Sequence, residues 1–419
     1  MTLAGDGTII SGIAKFDGAH LAPLGCAFNW DCTPPVTPSG LGNSGIVTLT
    51  FWNGSLYAGG YFYSIDGEAA YNIARWDGTA WHNLGTGLNA SVTRIHGYPD
   101  GLYVTGLFDQ AGDVTAHGVA RWDGSEWHDV FDVPLFSSSD INRINDVAWY
   151  NGELYIAGKF YGQDGMENIA RYDGSMWRPV GQGIQGSYSA VNLLEVHDGL
   201  LYVAGGFARS GPFGPPDNPG CGIVTWDGAQ WGTLGEGTNG SPNPTIYRMD
   251  WIRDTLYVTG RFNTIGGVPS GRVAKWDGTR WCSLVPPEYF YPDIVALGSF
   301  RDTLIVGGSF TVAGPDSIDR IAQWVSGAYT SACGTSVGLH EQAAGDAFSV
   351  YVDPACSELL LQGVHPQAVP QVSIHDATGR LLRYELLGSS RRMAISDLAS
   401  GCYVVHIREV GAVRFVVRR

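Results

Sequence analysis

A sequence unit that recurs at intervals of 46 to 54 residues constrains this chain of 419 residues more than any other feature. Its first half is a run such as LYIAGKF at residues 154–160, and its second half is a run such as NIARYDGSMW at residues 168–177. A repeat of this length predicts a chain built from copies of one supersecondary unit. The interval is measured between the aspartates of five Asp-Gly pairs: Asp77 and Gly78, Asp123 and Gly124, Asp173 and Gly174, Asp227 and Gly228, and Asp277 and Gly278.

Each unit predicts four short antiparallel strands. An alternating run such as VNLLEV at residues 191–196 comes first, and an Asn-Gly or Asp-Gly turn leads into the LYVAG strand. A variable loop then leads to the IARW strand, which a second Asp-Gly turn reverses into the WxxLG strand. Four strands in about fifty residues predict an all-β propeller of seven blades, with six blades as the alternative. Residues 1–25 contain a partial unit, and six further units begin near Val47, Val92, Ile144, Val191, Ile246 and Ile294.

The repeated polar and aromatic residues have structural explanations in this pattern. Glycine readily takes the positive φ of a hairpin turn, so we expect the five Asp-Gly pairs to form turns rather than a ring of acids or metal ligands. The tryptophan pairs, such as Trp122 and Trp127, are expected to pack across strands rather than to present platforms for sugars. Histidines follow the repeat tryptophan in only two units, at His82 and His128, so no ring of histidines is expected.

The repeats resemble those of kelch-type propellers over residues 1–330. The shared features are a Gly-Gly pair at the end of one strand, then an aromatic-Asp pair, then a tryptophan five residues beyond the aromatic residue, as at Trp76 and Trp81. Only three of six units keep both glycines, at Gly59-Gly60, Gly205-Gly206 and Gly307-Gly308. The resemblance implies the propeller fold and does not imply a function. Copper oxidases also use kelch-like propellers, but the His and Tyr ligands that they need are not identified here, and no catalytic residue is predicted.

Charge and hydropathy exclude some partners. Acidic residues outnumber Lys and Arg by 40 to 25, and residues 1–345 alone contain 33 acidic and 17 basic residues. A surface this acidic repels phosphate backbones, so we expect no nucleic-acid partner. No apolar run approaches the roughly 20 residues that cross a bilayer, so no transmembrane segment is predicted.

The seven cysteines and the loop aspartates leave two smaller predictions. Cys26 and Cys32 lie in one Pro-rich loop and are the candidate disulfide, with Cys356 and Cys402 a weaker pair. The other cysteines, Cys221, Cys282 and Cys333, are expected to be buried thiols. Cofactors are not predicted, although oxygen-rich loops leave Ca²⁺ open. The aspartates of those loops are Asp66, Asp109, Asp113, Asp164, Asp316 and Asp319.

A different pattern follows the repeats. Residues 331–346 have no periodicity and are predicted to be a linker, and residues 347–419 are predicted to be a small β-domain. The segments VYVDPACSELLLQG, VSIHDATGRLL, ISDLASGCYVVHI and VRFVV resemble the type A C-terminal sorting domain of the type IX secretion system. This chain has Asp353-Pro354 where that family usually has Asn-Pro, and it ends in arginines where the family commonly has lysines.

The resemblance implies an Ig-like β-sandwich, recognition by the type IX machinery, and export across the outer membrane. The positions that match the family most closely are Gly379, Arg380, Gly401 and Tyr403. Location in the medium or on the outer cell surface implies a signal peptide, which we expect to precede Met1 in the full-length protein. The alternative is an Ig-like accessory module that has no role in secretion.

Three functions fit this organisation. The leading hypothesis is a binding or adhesion module for an extracellular glycan or protein. The alternatives are a secreted propeller enzyme, a glycan hydrolase or an oxidase, and a structural component of a surface layer or filament. The predicted binding residues are Tyr289, Phe290 and Tyr291, because aromatic side chains in a variable loop are typical of recognition. They could equally cover the edge of a blade.

Overall fold

The computed structural model describes part of the chain, and every regular element in that part is a β-strand. The all-β prediction is therefore confirmed for these residues, while the linker predicted at 331–346 lies outside them. The described residues are 2–3, 9–10, 13–16, 21–24, 45–131, 143–161, 165–185, 190–208, 218–239, 244–284, 290–291, 293–300, 303–310, 312–313, 316–317, 320–323, 349–352, 358–362, 371–376, 381–386, 392–398, 401–407 and 411–417.

The chain divides into two compact units, and the boundary between them falls within repeat 6. We number the repeats 1 to 7 in chain order, so repeats 2 to 5 lie wholly in the first unit. The first unit contains Met1–Met249 and Val258–Val268, and the second contains Asp250–Tyr257 and Pro269–Arg419.

Repeats 2 to 5 each form one four-stranded antiparallel sheet whose strands are neighbours in chain order. The opening strands are Gly45–Trp52, Val92–Tyr98, Arg143–Tyr150 and Ala190–His197. The second strands are Ser55–Tyr61, Gly101–Gly106, Glu153–Tyr161 and Leu200–Gly206. The third strands are Ile73–Trp76, Val119–Trp122, Glu167–Tyr172 and Ile223–Trp226. The fourth strands are Trp81–Asn83, Trp127–Asp129, Trp177–Pro179 and Trp231–Thr233.

The other strands that begin in the first unit are shorter or continue into the second. The strands of repeat 1 are Thr2–Leu3, Ile9–Ile10, Ala14–Phe16 and Leu21–Pro23. Loop strands are Ser64–Ile65, Glu68–Ala69, Gln110–Ala111, Val114–Thr115, Thr238–Asn239, Thr264–Ile265 and Val268–Pro269. The boundary between the units crosses the opening and second strands of repeat 6, Thr245–Ile252 and Thr255–Arg261.

The second unit contains the rest of repeat 6, repeat 7 and the C-terminal segment. Its repeat strands are Val273–Trp276, Trp281–Ser283, Phe290–Tyr291, Ile294–Phe300, Thr303–Gly308, Val312–Ala313, Asp316–Ser317 and Ile321–Gln323. A three-stranded C-terminal sheet contains Ser349–Val352, Glu358–Gln362 and Arg392–Ala394, and a four-stranded one contains Leu381–Leu386, Gln371–Asp376, Gly401–Ile407 and Gly411–Val417.

Each opening strand of repeats 2 to 5 has a β-bulge at the same position, directly after its first apolar residue. In repeat 4, for example, the pairing with the second strand shifts between Ile144 and Asp146. The extra residue is unpaired in the ladder, and a bulge turns the side chains that follow it. The residues at the bulges are Val47, Thr93, Asn145 and Asn192.

A glycine on the second strand lies opposite each bulge, at the fifth position of the LYVAG run. A Cβ atom on Gly158 would lie only 1.9 Å from the Arg143 carbonyl oxygen, and one on Gly106 would lie 2.2 Å from that of Ser91. No real side chain fits at such distances, so the strand pair requires glycine here.

The side chains at the bulges connect successive opening strands. Thr93 Oγ1 donates to the Asn145 carbonyl oxygen at 3.1 Å, and Asn145 Nδ2 donates to that of Val191 at 2.9 Å. Asn192 Nδ2 donates to the Ile246 carbonyl oxygen at 3.3 Å. The same position therefore links repeats 3, 4, 5 and 6 in order.

A last hydrogen bond returns to repeat 2. Arg248 Nη2 donates to the Val47 carbonyl oxygen at 3.1 Å, although the two residues are 201 positions apart. Within the first unit, the opening strands of repeats 2 to 5 and the start of that of repeat 6 thus surround a common centre. Four-stranded sheets whose opening strands meet in this way are consistent with a propeller-like fold.

The hydrophobic core of the first unit lies between neighbouring sheets. One buried cluster joins Ile73 and Leu84 of repeat 2 to Leu102 and Val104 of repeat 3. The indole of Trp127 joins the same two repeats, because its Nε1 donates to the Leu84 carbonyl oxygen at 3.0 Å. Each sheet therefore buries its apolar face against the next sheet, as repeat architectures require.

Candidate functional site

The five Asp-Gly turns are rigid local structures at the ends of the third strands. Oδ1 of each aspartate accepts hydrogen bonds from the backbone N–H groups two and three residues later, at 2.7–3.0 Å. Hydrogen bonds of this kind hold the pKa of Asp77, Asp123 and Asp227 below the ordinary value. The following glycines have φ of +91° to +110°. These carboxylates serve the turn itself.

A second residue lies near the remaining oxygen in four of these turns, and in repeat 6 it is Arg280, whose Nε lies 3.8 Å from Asp277 Oδ2. Asp77 Oδ2 lies 2.7 Å from His82 Nε2, and Asp123 Oδ2 lies 2.6 Å from His128 Nε2. In repeat 4 the Nε of Arg178 donates to Asp173 Oδ2 at 2.9 Å. His82 and His128 therefore have local partners at the turns of their own repeats.

A cleft of about 430 Å³ lies between repeats 3 and 4 and is the candidate site. Its size is in the ordinary range for sites that bind small molecules. Turns and strands of both repeats line it, so its shape depends on the packing of two sheets. The lining residues with polar or aromatic side chains are Asp100, Tyr103, Arg121, Asp129, Trp149, Tyr172 and Asp173.

The repeat 3 wall of the cleft is held by a small hydrogen-bonded network. The Tyr103 hydroxyl donates to Asp100 Oδ2 at 2.8 Å, and Arg121 Nη1 donates to the Asp100 carbonyl oxygen at 2.7 Å. Burial, and then the hydrogen bond to Asp100, raise the pKa of Tyr103, so its hydroxyl stays protonated and donates. The wall thus presents a fixed phenol ring, a carboxylate and a guanidinium.

The repeat 4 wall contributes the aromatic side chain that reaches solvent. Trp149 is 38% exposed, whereas its neighbours Ala148 and Tyr150 are buried. Its ring meets that of Tyr103 edge to face, with centroids 6.1 Å apart and planes at 89°. An exposed indole held by a buried phenol is a rigid apolar surface beside polar groups.

A row of aromatic rings in contact connects this cleft with the common centre of the opening strands. Tyr98 packs edge to face on Tyr103 at 5.4 Å and stacks on the His96 ring at 6.2 Å. At the inner end, His96 Nε2 lies 2.5 Å from Oδ1 of the buried Asp146. Polar and aromatic side chains therefore lie between the sheets of repeats 3 and 4, from the cleft to the common centre.

The described residues that line this cleft include none of those predicted from sequence to bind or sort a partner. Tyr289, Gly379 and Arg380 lie outside the described residues. Phe290 and Tyr291 form a short strand that pairs with Val312–Ala313. Gly401 begins the strand Gly401–Ile407, and Tyr403 is 8% exposed in that strand.

Sequence reasoning missed Trp149, although one signal was present. In repeat 4 the opening strand is buried at Ile144–Ala148 and again at Tyr150, so an exposed tryptophan interrupts an otherwise buried run. The sequence shows that the position two residues before the Asn-Gly turn is aromatic in repeats 2 and 4, as Phe51 and Trp149. Successive side chains of a strand point to opposite faces, so the adjacent Trp149 and Tyr150 were expected to face different surroundings.

The cysteine predictions have mixed outcomes. Cys282 was expected to be a buried thiol, and that prediction is wrong, because Cys282 is disulfide-bonded. Cys282 follows the repeat tryptophan at a position where other units have His82, His128, Arg178 and Gly232, so the repeat pattern gave no signal for a disulfide. Cys26 and Cys32 lie outside the described residues.

Among the described side chains, no three His, Cys, Asp or Glu residues lie close enough together to hold a metal ion. No described helix could cross a membrane.

Comparisons with known proteins give only distant similarity. No family model matches the chain, and no curated protein matches it. Among solved structures, the computationally designed Ika8 protein aligns with 89% of this chain and 96% of its own, at 15% identity and a TM-score of 0.38. At such values a similarity assigns no function to this chain.

Two bacterial structures are similar at the same level. The extracellular domain of the hybrid two component system BT4673 from B. thetaiotaomicron aligns with 91% of this chain at 12% identity, with a TM-score of 0.40. That of BT3049 from the same organism aligns with 88% at 10% identity, again with a TM-score of 0.40. This chain spans 57% and 51% of those two chains.

Proposed function

We propose that this chain is a secreted or cell-surface binding module, built on a kelch-like propeller of seven repeats, that binds a glycan in the cleft between repeats 3 and 4. The observation that carries the proposal is Trp149, an exposed indole held on edge by Tyr103 in a cleft of about 430 Å³. Six blades remain the alternative count, and a protein ligand remains the alternative partner.

The chemistry of the cleft suits a sugar. A pyranose ring has an apolar face that packs on an aromatic ring, and its hydroxyls both donate and accept hydrogen bonds. Asp129 and Asp100 offer acceptors at the rim, and Arg121 offers donors. Because Tyr103 and Arg121 are already held by hydrogen bonds to Asp100, little side-chain entropy is lost when a ligand binds.

A glycan array probed with the purified chain tests this proposal. We expect binding to a limited set of glycans, and a parallel array in EDTA decides whether Ca²⁺ takes part. Unchanged binding in EDTA would mean that recognition does not need Ca²⁺. Absence of binding to any glycan, together with capture of a surface protein, would replace the glycan with a protein ligand.

Export is a separate part of the proposal. We infer from the resemblance that residues 347–419 direct the protein through the type IX secretion system, with Gly379, Gly401 and Tyr403 shaping the domain and Arg380 read by the machinery. Deletion of residues 347–419 in a host with this system should leave the protein in the periplasm. Fusion of the same segment to a carrier with a signal peptide should bring the carrier to the cell surface. Normal release of the truncated protein would reduce the segment to an accessory β-domain.

A further inference from the structure

Two arginines from distant repeats converge at the common centre of the opening strands. Arg94 lies one residue beyond the bulge of repeat 3, and Arg248 occupies the corresponding position of repeat 6. Arg248 Nη1 donates to the Tyr247 carbonyl oxygen at 3.2 Å, and Arg94 Nη2 approaches the same oxygen at 3.5 Å. The guanidinium groups of two arginines that are 154 positions apart in the chain therefore share one acceptor.

Neither arginine makes an ion pair with a carboxylate among the described residues. Among the described residues, the hydrogen bonds of Arg94 and Arg248 go only to backbone carbonyl oxygens, those of Tyr247 and Val47. Burial, and then repulsion from Arg94, lower the pKa of Arg248 to about 10. Like charges held together in a half-buried place are unfavourable unless an anion joins them.

Asp146, a carboxylate that attracts both arginines electrostatically, is already occupied. Asp146 Oδ1 lies 2.5 Å from His96 Nε2 and accepts the Val147 N–H at 2.9 Å. Asp146 Oδ2 accepts the Leu194 N–H at 2.8 Å. Asp146 therefore attracts the arginines only from a distance, and its own hydrogen-bonding capacity is largely used.

The arginine pair can be reached from solvent. Val47, whose carbonyl oxygen accepts from Arg248, is itself 49% exposed. Arg94 and Arg248 are half-buried rather than enclosed. An anion could thus enter while the guanidinium groups remain partly desolvated, a setting in which charge-assisted hydrogen bonds are strong.

We propose that Arg94 and Arg248 form an oxyanion-binding site at the centre of the first unit, which takes a carboxylate or sulfate group. Paired guanidinium forks match the planar or tetrahedral oxygens of such groups. Residues 1–345 contain 33 acidic and 17 basic residues, so two adjacent arginines without an ion pair are a local exception that suits an anionic ligand. The site is distinct from the cleft, and it stands whether or not the cleft binds a glycan.

Inorganic sulfate is the first probe, with chloride at equal ionic strength as the reference. Sulfate stabilises proteins in general by exclusion from their surfaces, so the variants decide the result. We expect a saturable rise in Tm for the wild type, and an apparent affinity at least about tenfold weaker in Arg94→Gln and Arg248→Gln. The control is Arg75→Gln, which removes a third-strand arginine of repeat 2 that pairs in register with Tyr57 and His82.

A second arm identifies the source of the anion. Trigalacturonate, a carboxylated sugar, is titrated beside neutral maltotriose. Competition between sulfate and trigalacturonate, with no effect of maltotriose, would assign the site to the acid group of a larger ligand. Binding of sulfate alone would assign it to a free oxyanion.

Three outcomes would overturn the proposal. The first is an equal effect of sulfate on all variants. The second is a linear, unsaturable rise in Tm with sulfate concentration. The third is an affinity for sulfate that Arg75→Gln lowers as much as Arg94→Gln does. If an arginine variant fails to fold, sulfate is titrated into the wild type by calorimetry, and the absence of a saturable heat would overturn the proposal.

Discussion

His96 Nε2 lies 2.5 Å from Asp146 Oδ1, so that a partly exposed ring on the opening strand of repeat 3 meets a buried carboxylate on that of repeat 4. Burial alone would lower the pKa of His96, but the charge and hydrogen bond of Asp146 outweigh it and raise that pKa above 6.5. Burial would likewise raise the pKa of Asp146, but His96, Arg94 and the Leu194 N–H hold it below 3.8. Both groups are therefore charged at pH values between the lowered pKa of Asp146 and the raised pKa of His96.

The stability that His96 contributes should depend on pH. A raised folded-state pKa means that this contribution is complete below the ordinary pKa of 6.5 and is lost as the pH rises through the folded-state value. The lowered pKa of Asp146 sets the acid limit, since its contribution is lost as the pH falls through the folded-state value. The difference in Tm between wild type and His96→Gln should be largest between about pH 4 and 6.5. A difference that stays constant up to pH 9 would contradict the ion pair.

Replacement of the buried Asp146 should lower the free energy of unfolding more than replacement of an exposed aspartate does. Asp146→Asn leaves the His96 ring without its counter-charge, and we expect a loss of about 3 kcal/mol in the free energy of unfolding, as for other broken buried pairs. Asp129→Asn, at an exposed position, should change it by less than about 0.5 kcal/mol. Urea denaturation at pH 6 measures both. Equal losses would mean that Asp146 acts only through its backbone hydrogen bonds.

Replacement of two glycines of repeat 4 by alanine should lower stability by different amounts, because different interactions are disturbed. A Cβ on Gly158 would overlap the Arg143 carbonyl oxygen, so Gly158→Ala should lower stability by about 2–3 kcal/mol. Gly174 has φ +91° and open space around its Cα, so Gly174→Ala meets only backbone strain and should lose about 1 kcal/mol. Chemical denaturation of the two variants compares them. The reverse order would show that the bulge can relax around a methyl group.

The tryptophan that joins neighbouring repeats provides a further comparison. Trp127→Phe keeps the aromatic packing but removes the donor to the Leu84 carbonyl oxygen, and we expect a loss of about 1 kcal/mol. Trp127→Ala removes both and should lose about 3–5 kcal/mol. Thermal unfolding of both variants gives the order. Equal Tm values for wild type and Trp127→Phe would show that the hydrogen bond adds nothing to the packing.

The strand pattern could be predicted because it repeats, whereas the sites lie where the repeats differ. The glycine at the fifth position of each LYVAG run is common to all six units, and its reason is the close approach seen at Gly158. Arg94, Asp146 and Arg248 occupy one equivalent position beyond the bulge, where other repeats have Thr48 and Leu193. The sequence shows that this position varies between repeats, but it does not show that the varied side chains lie close together. Only the arrangement of the opening strands shows that.

The cleft was hidden for the same reason. Tyr103 and Trp149 are 46 residues apart in the printed sequence and belong to different repeats. Only the packing of one sheet on the next places their rings edge to face. The sequence pattern shows where aromatic residues lie within a repeat. It does not show which of them contact each other where the sheets of two repeats pack together.

The most direct test of the account is glycan-array binding by Trp149→Ala beside wild type and Phe51→Ala. Phe51 occupies the same position in repeat 2 and is 76% exposed, so its removal controls for the loss of any exposed aromatic ring. We predict that wild type and Phe51→Ala bind the same glycans, and that Trp149→Ala binds them at least about tenfold more weakly with an unchanged Tm. Wild-type affinity in Trp149→Ala would contradict it.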